Sequence, residues 1–155
     1  MVKNIFKIGA VVIVGVLLLF AAIQLVPVWL LRTNPPVIAE PKWDSPATRD
    51  LAERACFDCH SNETVWPWYS KVAPVSWLVI LDTARGRNAL NFSEWGVARG
   101  EAGEGGGRGE GGGEFGEVIQ EGSMPPPAYL LTQSDARLTD AEKQQLIDGL
   151  YASLK

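Results

Sequence analysis

The chain is poor in the residues that bind metals and form crosslinks: its 155 residues include one histidine, two cysteines and two methionines. Two cysteines cannot build the multiple-disulfide framework of a small secreted scaffold. A closed structural zinc site wants four Cys or His ligands, and only three exist here, two of them adjacent. No βαβ pattern precedes the cysteines, so a thioredoxin-like dithiol lacks its usual setting. No Gly-Lys-Ser/Thr closes the glycine-rich tract, which excludes a phosphate-cradling loop. Basic residues are also short: Lys3, Lys7 and Arg32 are three of 14, leaving 11 against 18 acidic residues beyond Arg32. That part therefore carries a formal charge of about minus seven. Such a surface disfavours nucleic acid; it either suits partners with basic patches or serves solubility alone.

What is present is concentrated in one place. Cys56-Phe57-Asp58-Cys59-His60 spells C-x-x-C-H and uses both cysteines and the only histidine. This is the attachment signature of a c-type haem, in which each thiol adds across one vinyl group and the neighbouring imidazole reaches the iron. Haem iron takes its sixth ligand from a second His or from Met, or leaves that position open. A second His does not exist. Met1 is the initiator beyond an apolar stretch, so Met124, in Gly122-Ser123-Met124-Pro125-Pro126-Pro127, is the candidate by elimination. Gly122 permits close backbone approach, and the prolines stiffen the segment. The rival readings are a gap-filling loop methionine and ligation by Lys42, Lys71, Lys143 or Lys155, each of which must first lose a proton.

Ile8 to Val26 carries no charge and reads as one membrane-spanning helix, so residues 1–32 form an N-terminal anchor. The stretch exceeds a secretory h-region, although Val37-Ile38-Ala39 is a weak late cleavage match. Lysines at the amino end place the N-terminus in the cytoplasm and Cys56 on the outer, periplasmic face of a bacterial inner membrane. Residues 33–44 form a proline-rich extended linker, and 45–155 the cofactor domain. Ser45-Pro46 starts a helix running from Ala47 to Cys56, with Leu51, Ala52, Ala55 and Cys56 on one face. Trp66, Trp68, Trp77 and Trp95 either wall a macrocycle or form plain core. Arg85 and Arg87 suit a solvated surface better than a propionate clamp. The tract 96–116, eleven of its residues glycine, is expected to be a mobile loop without chemistry. Thr139-Asp140-Ala141-Glu142 is a capping box opening a last helix, whose Leu146, Ile147, Leu150 and Tyr151 share a side that packs on the helix entering the motif.

Cys56–Thr64, Trp66-Pro-Trp-Tyr-Ser70, Ala73-Pro-Val-Ser-Trp77, Gly86-Arg87, Leu90-Asn-Phe-Ser-Glu-Trp95 and Gly122-Ser-Met-Pro together resemble the bacterial haem-binding domain family of membrane-anchored c-type cytochromes. The likeness covers most of residues 45 to 150. It implies an all-α, small cytochrome c-like domain holding one covalent haem c, with Cys56, Cys59 and His60 on one side and Met124 on the other. Two features depart from the family pattern: the glycine tract is an expanded insertion, and Gln133 stands where similar sequences often carry a histidine before proline. Function then reads as single-electron transfer to redox partner proteins without enzymatic turnover. The alternatives are a haem-based sensor or small peroxidase with a labile distal ligand, and a dithiol oxidoreductase.

Overall fold

The computed structural model describes residues 2–96 and 112–153. Among them there is no strand, only one isolated bridge between Ala39 and Glu94, so the fold is all-α as expected. Among the described residues six α-helices carry it: α1 Val2–Ile23, α2 Pro46–Ala55, α3 Phe57–His60, α4 Val75–Ala89, α5 Gly112–Gln120 and α6 Asp140–Ser153. The chain divides into two compact units, Met1–Thr33 with Trp66–Leu81, and Asn34–Val65 with Asp82–Lys155.

In the first unit, α1 is long and apolar enough to cross a membrane, and none of its Asn4–Ile23 span is buried against protein. The helix stops at Ile23, earlier than the apolar stretch does. At Gln24 the side-chain amide pairs with both backbone groups of Ala73: Nε2 donates to its carbonyl and Oε1 accepts from its N–H, each at 3.0 Å.

The second unit is built on α2 and α6. Pro46 occupies the first turn of α2, where its missing N–H costs nothing, and the Ser45 hydroxyl accepts from the Thr48 amide at 3.2 Å. Leu51, Ala52 and Ala55 are buried on the face that the spacing defined. The capping box at the start of α6 is reciprocal: Thr139 Oγ1 accepts from the Glu142 amide, and Glu142 Oε2 accepts from the Thr139 amide at 2.7 Å. Leu146, Ile147 and Leu150 are buried and α6 packs on α2, while Tyr151 stays partly exposed.

Glu142 also gives the fold a pH signature. The Thr139 amide, then the Arg54 guanidinium, holds its carboxyl at about 2, down from 4.5. Lowering in the folded state means that this stabilisation is fully present above the unfolded value and is lost as pH falls from 4.5 towards 2. Glu142→Gln should therefore lower the melting temperature near neutrality and make it less sensitive to pH across that window. An unaltered acid limb would show that the cap carries no proton linkage.

The proline-rich segment is extended, and it lies along Asn91–Trp95. Ile38 and Ala39 donate to the Ser93 carbonyl at 2.8 and 3.2 Å, and Trp95 donates to Ala39 O at 2.9 Å. Of the tract 96–116, positions 97–111 lie outside the described residues, while its last part, from Gly112, already forms α5.

Candidate cofactor site

The motif sits on a single turn. The Cys56 carbonyl accepts from the amides of Cys59 at 3.1 Å and His60 at 2.9 Å. A turn this short splits its side chains between two faces. Phe57 goes inward, 3% exposed, onto an aromatic cluster: 5.5 Å from Phe92, 6.3 Å from Trp43, and capped by the Arg49 guanidinium 5.3 Å from its centroid. Arg49 is itself clamped by both oxygens of Glu40, at 2.9 and 3.0 Å, which holds the Glu40 carboxyl below its ordinary range. Cys56, Asp58, Cys59 and His60 line a cavity of about 440 Å³, within the roughly 300–1,000 Å³ of small-molecule and cofactor sites.

Each α-helix of the second unit, with the part of α4 that belongs to it, contributes to that cavity. Its floor and walls come from Ala55 at the end of α2, the last turns of α4, Phe92, the face of α5 carrying Phe115, Val118 and Ile119, and Leu150 of α6. Met124, Pro125, Pro126 and Tyr129 form another side, and Asp82 and Arg85 add charge. The lining is mainly apolar, as a flat hydrophobic macrocycle with polar edges requires. Cys56, Cys59, His60 and Met124 therefore border one space. Among the described residues no tryptophan lines it; the aromatic wall is Phe92, Phe115 and Tyr129. Trp95 instead stacks on the far side of Phe92, 5.9 Å away and nearly parallel.

The imidazole is held in one tautomer. His60 Nδ1 lies 3.2 Å from the Leu90 carbonyl, which can only accept, so Nδ1 carries the proton and Nε2 keeps its lone pair. Burial pushes the His60 pKa down against the backbone hydrogen bonds of Leu90 and Gly86. A neutral, oriented ring is the form in which imidazole binds a metal. Both cysteines are free thiols. Burial raises Cys56 to about 12; burial, then the Asp58 and Asp82 carboxylates, raise Cys59 to about 11. These are poor thiolates, which disfavours the dithiol oxidoreductase reading. Among the described residues no three His, Cys, Asp or Glu side chains converge as a bare metal ion would need. The residues present thus fit a haem better than a zinc ion.

Four residues have roles that the sequence pattern did not show. Arg87 is half-buried and structural: its Nε donates to the Ser61 carbonyl at 2.7 Å and Nη2 to Thr64 Oγ1 at 2.9 Å, pinning the chain just after the motif. Arg85, expected on a solvated surface with it, is exposed but borders the cavity. Gly86 lets α4 touch α3, because a Cβ there would sit 2.9 Å from the Cys59 carbonyl carbon. Gly122 is needed for its φ of +75°, with open space around it, so it serves the turn before Met124 and not a close approach.

Asp58, between the two cysteines, joins the motif to the Met124 segment. One carboxylate oxygen accepts from the Val65 amide at 2.8 Å and the other from the Tyr129 hydroxyl at 2.7 Å. A hydrogen bond to a charged group contributes about 1.5–3 kcal/mol, so Tyr129→Phe should lower the urea midpoint measurably. An unchanged midpoint would mean that the bond contributes nothing.

An all-helical unit with an apolar cavity, two thiols, one neutral imidazole and one thioether defines a haem-binding protein. A family model for the haem-binding domain matches residues 18–152, and the chain belongs to that family. No curated protein and no solved structure matches it.

Proposed function

We propose that this is a membrane-anchored c-type cytochrome that carries single electrons on the outer side of a bacterial inner membrane. The observation that carries the reading is the shared cavity: Cys56, Cys59 and His60 from one turn, and Met124 from a separate segment, line the same apolar space. Haem, when bound there, supplies a one-electron iron couple.

The chain's own residues do the rest. Cys56 and Cys59 are free thiols and would hold the macrocycle through two thioethers, each S–H adding across one vinyl group. His60 presents Nε2 while Leu90 holds its other nitrogen, which raises the basicity of the ligand. Met124 would hold the iron together with His60, and a Met/His pair would set a higher potential than two imidazoles. Phe92, Phe115, Val118 and Ile119 keep water from the ring and lower the local dielectric. Helix α1 anchors the domain with the N-terminus cytoplasmic, and the acidic surface steers redox proteins bearing basic patches.

The decisive comparison is the absorption spectrum of the haem-loaded protein before and after Met124→Ala. Loss of the sulfur-to-iron charge-transfer band supports the assignment; an unchanged band moves the sixth ligand elsewhere. One observation favours a second reading: Met124 is 39% exposed. A displaceable thioether would open the iron to a diatomic ligand, as a haem sensor or small peroxidase requires. Rapid carbon monoxide binding to the reduced wild-type protein is the outcome that distinguishes it.

A further inference from the structure

Helix α4 begins with its polarity reversed. As far as Thr83 the positions it buries are Ser76, Ile80 and Thr83, two of them hydroxyl-bearing, whereas those it exposes include Val75, Trp77, Leu78 and Leu81. A surface helix in water normally does the opposite. Just before it, Trp68 is 76% exposed, with the exposed Lys71 close by in sequence.

This segment sits beside the end of α1. The paired hydrogen bonds between Gln24 and Ala73 fasten it to the residue that follows the helix, and Arg32 Nη1 donates to Ser70 Oγ at 3.2 Å. Leu25, Val26, Leu30 and Leu31, which lead out of α1, are exposed as well. The end of the span and the segment carrying Trp68 and the start of α4 are therefore held together, with exposed apolar side chains on both. Tryptophan and tyrosine with flanking lysine and arginine is the composition found at headgroup level, where one end of a side chain is apolar and the other wet.

We propose that Trp68 and the outward face of Val75–Leu81 lie in the lipid–water interface of the membrane that α1 enters, as a second lipid contact. The inference rests on the anchoring reading above. Attachment to the span favours lipid over a protein partner, because the same bilayer that covers α1 reaches these side chains.

The test uses full-length, haem-loaded protein in vesicles of phosphatidylethanolamine and phosphatidylglycerol that contain a phospholipid with a diazirine beside its glycerol backbone. After photolysis, peptide mapping should find lipid adducts on Trp68 and on Val75–Leu81 as well as on α1, several-fold above those on α6. Leu78→Glu with Leu81→Glu should remove the α4 adducts and leave those on α1 and the haem spectrum unchanged. Trp68→Ser, at a site too exposed to affect folding, should remove the adduct there alone. Adducts confined to α1 would overturn the docking and leave the anchor standing. Protein recovered free of the vesicles would overturn the anchor itself. No lipid adduct on Val75–Leu81, together with crosslinks between copies when a photoreactive amino acid replaces Leu78, would overturn the proposal in favour of a self-association surface.

Discussion

His60→Ala is expected to abolish the low-spin spectrum of the reduced protein while leaving the cofactor covalently attached. In the proposed reading the two functions reside on different side chains of the same turn: Cys56 and Cys59 would hold the ring, and the imidazole would bind its metal. No other histidine exists to substitute. The variant also leaves the Leu90 carbonyl without its 3.2 Å partner, a loss of about 1–3 kcal/mol if no water replaces it. Free imidazole added to the variant should restore the low-spin spectrum, since the vacated ring leaves a cavity of its own shape. A normal spectrum in the variant without added imidazole would remove His60 from the iron.

Gly86→Val should damage the site more than any change to a lining side chain. Helix α4 meets the motif at backbone distance, and the group that a Cβ would strike is the Cys59 carbonyl, which cannot rotate away. Overpacking costs about 1–3 kcal/mol where side chains can adjust. Here the backbone must move, so at least about 3 kcal/mol is expected, a fall on the order of 10 °C in Tm for a domain of this size. The displaced turn also misplaces both thiols and the imidazole, so haem incorporation should fall together with stability. A variant that melts normally and fills with haem would show that α4 and α3 are free to separate.

Much of the site was legible because its chemistry is local. C-x-x-C-H fits one turn, so the cysteines and the histidine that line the cavity are neighbours in sequence as well as in space. The caps at Ser45 and Thr139 were equally readable, since a cap is a contact over three residues. Met124 emerged by elimination, and it lines the cavity with the motif. What remained hidden depends on long-range pairing. Tyr129 and Asp58 are 71 positions apart, and nothing in either neighbourhood announces their bond. Phe57 could have faced the cofactor or the core; only the packing of Trp43 and Phe92 decides it. The tryptophans carried too little positional information, because an indole suits a cavity wall, a core or a membrane boundary. Val75–Leu81 has almost no polar residue to break its pattern, so periodicity could not show which face of α4 is outward.

The account stands on a haem joined to the chain by two thioether bonds. The most direct measurement is the intact mass, under denaturing conditions, of protein matured in a bacterium with its haem-attachment machinery. The expected mass is that of the polypeptide plus one haem, with the haem carried on the peptide containing Cys56 and Cys59. A mass equal to the bare polypeptide, from a preparation that nonetheless shows the haem spectrum, would contradict it.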